Sequence, residues 1–143
     1  MHSKFKKIIS LILVISILAA IPVYAAAAEA RASAYFSSYS AYISTSDTGK
    51  ISVNFTVVGT KTMTKIGSSV VQIFKADGTR VASCSFALNA YSYIMGYNTS
   101  FHAASVPYAG VSGQRYYAIV TFFAKDSKGS DTLNYTTSTV TAK

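Results

Sequence analysis

The sequence predicts an all-β protein, a single antiparallel β-sandwich of about seven strands. Three observations predict it. Beyond residue 30, apolar residues recur at every second position and no helical period survives. The chain is rich in Val, Ile, Tyr, Phe and Thr, side chains that fit a pleated, half-buried surface. Clusters of Gly, Asp, Asn and Ser interrupt it at roughly regular intervals.

The first element is of a different kind. Lys4, Lys6 and Lys7 precede an apolar run of fourteen residues from Ile8 to Ile21, and Pro22 then leads to small residues around Ala25. A basic start, a short apolar run and a small-residue site make a secretory signal-peptide helix. A bilayer span needs about 20 apolar residues, so cleavage is expected rather than anchoring. We assign residues 1–25 to the signal and 26–143 to a secreted, extracellular β-sandwich domain; cleavage after Ala28 or Ala30 fits equally well. The membrane is expected as a partner only through that signal.

Residues 26–143 number 118, enough for one sandwich core and too few for two. They carry ten basic and five acidic side chains, a net charge of +5 against +8 for the whole chain. Cys84 is the one cysteine, so no internal disulfide staples the domain. It alternates with Ser83 and Ser85 and shares a face with Ala82 and Phe86. That pattern predicts a small buried hydrophobe rather than a reactive thiol.

The strands follow in order. Residues 33–44 form a first strand of Tyr and Phe among small polar residues, ending at Ser46-Asp47-Thr48-Gly49. Residues 50–58 alternate cleanly, with Ile51, Val53, Phe55 and Val57 on one face. A long connection is expected over 59–67. Residues 69–75 and 79–88 flank Asp77-Gly78, a strong hairpin signal of the type I′ kind. Counting outward from a two-residue loop pairs Ile73 with Ala82 and Val71 with Cys84, which puts apolar residues on one face. A Tyr-rich stretch at 89–97 leads to a short strand near 98–105. Residues 115–125 are apolar on both faces, as a central strand requires, and 132–141 form a Thr-rich edge strand.

Strand number and spacing resemble immunoglobulin and fibronectin type III domains, with Tyr116 or Tyr117 placed for a tyrosine corner. A closer resemblance is carried by Arg31–Ser40, by Met63-Thr64-Lys65-Ile66-Gly67, by Gly113-Gln114-Arg115-Tyr116-Tyr117-Ala118 with Val120, Phe122 and Ala124, and by Tyr135-Thr136-Thr137. On these residues the chain resembles a family of small secreted proteins of unknown function from Gram-positive, clostridial-type bacteria. The resemblance implies secretion and a β-sandwich, and supplies no activity.

Catalysis needs positioned acids, bases or nucleophiles, and residues 26–143 hold one histidine, one cysteine and five carboxylates. Asp47, Asp77, Asp126 and Asp131 all fall at predicted turns, where short acidic side chains cap their own backbone. His102 follows Phe101 and is expected at the surface if Phe101 points inward. No enzyme, metal site or cofactor is therefore expected.

Alternating strand directions place Lys61, Lys65, Lys125 and Lys128 at one end of the domain and an equal number of basic residues at the other. Charge spread in this way argues against nucleic acid as a partner. The Lys-bearing end also receives Tyr91, Tyr93, Met95 and Tyr97, and aromatic faces beside cations bind sugars or protein partners. These seven Tyr and Lys residues are the candidate ligand-binding set, for an extracellular glycan, cell-wall polymer or protein. The plainer alternative is that Tyr91, Tyr93 and Ile94 cap the core or form an additional edge strand. The alternative function is a structural or self-associating surface protein.

Overall fold

Alternation at Ile51, Val53, Phe55 and Val57 gives the first part of a strand far longer than the sequence pattern predicts. The computed structural model describes Ser33–Lys143, so the signal-peptide assignment lies outside the described residues. The elements are β1 (Phe36–Thr45), β2 (Lys50–Lys75), β3 (Arg80–Ser85), a 3₁₀ helix (Asn89–Ile94), β4 (Met95–Ala109), β5 (Arg115–Lys125), β6 (Ser130–Thr136) and the short β7 (Val140–Thr141). All seven strands join in one antiparallel sheet.

β2 organises the sheet. β1 and then β5 pair along one of its edges, and β4 and then β3 along the other. The expected connection at 59–67 is instead the bend of this strand: Lys65, Ile66 and Gly67 are paired on both sides. Its register with β4 slips between Val58 and Met63, and Asn98 on β4 adopts a left-handed conformation with φ 52°. Extra residues on one strand bend the ladder and increase its twist. The sheet curls on itself like a half-barrel, with one strand common to both halves.

The curl brings two apolar faces together. Phe55 from the first half meets Phe122 from the second with ring centroids 5.8 Å apart, and Tyr108 meets Tyr116 at 5.9 Å. Tyr39 closes over Phe122 at 5.5 Å. Val53, Val57, Met63, Ile66, Val71, Ile73, Ala118 and Val120 complete a core with no exposure. Cys84 is buried within it, as the alternation predicts. Buried polar groups are bonded: Ser68 Oγ donates to the Val70 and Thr121 carbonyls, and Thr137 Oγ1 accepts from the Ala118 amide. Tyr116 is buried, its hydroxyl accepting from the Val111 amide at 2.9 Å, while Tyr117 stacks outside on Phe74.

The β2–β3 hairpin has the predicted pairs, Ile73 with Ala82 and Val71 with Cys84. Its turn differs. The Gly78 amide donates to the Lys75 carbonyl and the Lys75 amide to Thr79, leaving a three-residue loop with Gly78 alone at positive φ, 91°. A bulge between Ile73 and Phe74 then adds one residue on β3 and returns the register. Three further readings are corrected. The strand near 98–105 extends over Met95–Ala109, and the closing strand over 132–141 is split into β6 and β7 around Thr137, whose amide donates to the Ala118 carbonyl. Phe101 points outward, 53% exposed, and His102 points inward against Phe55, its Nε2 2.8 Å from the Tyr93 carbonyl oxygen.

Candidate binding site

Alternation places Lys65 on the outer side of β2, just beyond the bend. Its register partners are Tyr97 on β4 and Lys125 on β5, and Lys125 is in turn opposite Ser130 on β6. Tyr97, Lys65, Lys125 and Ser130 thus form one row across four strands. Neighbouring strands lie about 4.8 Å apart, so two cationic side chains rise side by side.

Like charges directly opposite destabilise a sheet unless something offsets them. Here two rings do. Lys65 Nζ sits 5.8 Å from the Tyr97 ring centroid and 5.9 Å from that of Phe86. A cation over a ring face at an exposed site contributes about 0.5–1 kcal/mol. Tyr97 is 54% exposed and Lys125 is also exposed, so the row faces water. Among the described residues no carboxylate lies within ion-pair distance of Lys65 or Lys125.

Lys61 and Lys128 go to a neighbouring feature, the β5–β6 turn. Lys61 Nζ binds Asp126 Oδ2 at 2.6 Å. Asp126 Oδ1 accepts from the Lys128 and Gly129 amides at 2.8 and 3.1 Å. The Lys61 hydrogen bond and these amides hold the Asp126 carboxyl below the usual range, and Asp126 raises the Lys61 ammonium above its own. Lys61 is therefore neutralised, whereas Lys128 contributes its amide to the turn and leaves its ammonium free of any ion pair among the described residues.

Tyr91 and Tyr93 are not in the row. They seat the 3₁₀ helix, which is the capping alternative. Tyr91 packs on the core, where the neighbouring Cys84 sulfur raises its phenol above the ordinary value. Tyr93 donates its hydroxyl to the Ser105 carbonyl at 3.2 Å. Ile94 is fully buried, and Gly67 allows the close approach, because a Cβ there would come within 2.8 Å of Met95 Cα. Phe86 is the residue that sequence reading assigned to the core alone; it packs against the core and also borders the row.

Two further carboxylates accept hydrogen bonds, Asp77 in the β2–β3 turn and Asp131 at the start of β6. Asp77 Oδ1 accepts from the Thr79 amide at 2.8 Å, and Asp131 bonds both the Thr132 amide and the Ser33 hydroxyl. Among the described residues no three His, Cys, Asp or Glu side chains converge as metal ligands. No protein-family model, curated protein or solved structure matches this chain.

Proposed function

We propose that this chain is a secreted, non-enzymatic bacterial protein that binds an anionic extracellular glycan or cell-wall polymer through the row Tyr97–Lys65–Lys125. The observation that carries this is a pair of adjacent, outward cations that have no carboxylate partner among the described residues and are flanked by Tyr97 and Phe86. Acidic groups along a polymer bridge two such ammonium groups, while the exposed ring offers a face for stacking on a sugar. Lys128 adds a third cation from the adjoining turn. The basic start and apolar run at residues 4–21 support export, and the resemblance to small secreted clostridial-type proteins agrees with it. Packing of the two curled halves face to face supports reading the domain as a variant of the immunoglobulin-like sandwich plan.

Residues 26–143 retained on insoluble cell wall, and released by salt, are the expected result in a pull-down. A Tyr97→Ala/Lys65→Ala/Lys125→Ala variant is expected to pass through, while Tyr91→Phe/Tyr93→Phe is retained. Retention of all three proteins alike would sink the assignment.

A further inference from the structure

Among the described residues, five strands have an edge without a strand neighbour: β1, β3, β4, β6 and the short β7. Free edges present unpaired N–H and C=O groups to any passing strand, and charge, proline or brevity normally guards them. Four of the five are guarded. β3 has six residues and opens with Arg80, β6 carries Asp131, β4 carries Pro107, and β7 is only two residues long.

Ladder geometry fixes the direction of Pro107. The Ser46 amide donates to the Lys50 carbonyl, so alternate pairs from there, Ser44 with Ser52 and Tyr42 with Asn54, are the bonded ones. Ser52 therefore turns its backbone groups toward β1, and Pro107, opposite Ser52 on the other side, turns its nitrogen to the free edge. A donor is missing where an added strand would need one.

β1 has no such guard. Its ten residues include no charged side chain, proline or glycine. The same alternation aims the N–H and C=O groups of Tyr39, Ala41, Ile43 and Thr45 at the free edge, and no backbone hydrogen bond outside the sheet reaches them. Ser38, Ser40, Tyr42 and Ser44 stand exposed beside that edge, Tyr42 at 62%. Charge sets the choice of partner. The described residues carry nine basic and four acidic side chains, yet 33–46 hold none, so two like-charged copies can approach along this strip without opposing charges. An antiparallel edge is also self-complementary about a two-fold axis, since each residue gives its partner what it receives.

We propose that the β1 edge pairs antiparallel with β1 of a second copy, joining the two sheets in a symmetric dimer. The polymer-binding row plays no part in this, so either reading stands or falls alone. Sedimentation velocity of residues 26–143 from micromolar to millimolar concentration, with amide hydrogen exchange at both extremes, is the test. A concentration-dependent dimer is expected, with exchange at Tyr39, Ala41, Ile43 and Thr45 slowed about tenfold or more in the dimer. A Ser40→Lys/Tyr42→Lys variant with parental circular dichroism stays monomeric, whereas Ser105→Lys on the β4 edge dimerises like the parent. The proposal is overturned by a monomer throughout, by a dimer whose four amides exchange as in the monomer, by a dimer that survives the double substitution, or by open-ended fibres.

Discussion

Asp126 illustrates how much one short side chain determines. It caps the β5–β6 turn through two amides and neutralises Lys61, which leaves Lys65, Lys125 and Lys128 as the nearby cations without an ion pair among the described residues. Its carboxyl is held below the ordinary value, so the stabilisation is complete above the unfolded Asp pKa of about 3.9 and is lost as pH falls through the lower folded value. Asp77, lowered by the Thr79 amide, acts in the same direction. Urea midpoints between pH 2 and 6 are therefore expected to fall on the acid side. Asp126→Asn should lower the plateau and flatten that fall; an unchanged acid limb would contradict the assignment. In the core, Phe122 touches Phe55, Tyr39 and Tyr135, and Phe122→Ala is expected to cost about 3–5 kcal/mol by denaturant titration. Tyr97→Ala, on the open surface, should cost no more than the roughly 0.5–1 kcal/mol of its contact with Lys65. Turn-forming roles for Asp77 and Asp126 were legible from their neighbours in sequence, whereas Asp131 lies on β6 and bonds the distant Ser33 hydroxyl. The orientation of His102 was not, because Asn98 redirects β4 just before it.

Elements were readable where the evidence was local. β5 runs over the expected residues because apolar side chains on both faces mark a central strand. The β2–β3 register was readable too, for a less direct reason: the loop holds one residue more than a type I′ turn, and the bulge opposite Phe74 compensates for it. Gly78→Ala, at φ 91°, should cost roughly 1–2 kcal/mol, whereas the same change at Gly67 meets backbone and should cost more. Thermal unfolding of the two variants tests that order. The long β2 was hidden because 59–67 contain two glycines and several exposed Thr and Lys residues, the composition of a loop. Met63 and Ile66 still reach the core, but at the bend their spacing departs from strict alternation. Only pairing with β4 and β5 makes this segment a strand.

At the scale of the molecule, the curled sheet decides which of the candidate residues act together. Sequence reading grouped seven Tyr and Lys residues by the end of the domain they should occupy. Folding sorts them into an outward row, an ion-paired turn and two tyrosines that seat a helix. That sorting depends on partners on other elements, Cys84 on β3 for Tyr91, Ser105 on β4 for Tyr93 and Asp126 after β5 for Lys61, which no local pattern encodes. The result is a β surface with an aromatic flank and two adjacent cations, distinct from the uncharged strip of β1. The most direct measurement is an amide and side-chain NMR titration of residues 26–143 with a soluble, acidic cell-wall glycan fragment. The account predicts shifts centred on Tyr97, Lys65 and Lys125, extending to Phe86 and Lys128 and vanishing in high salt. Shifts centred on another surface, or none at saturating fragment, would contradict it.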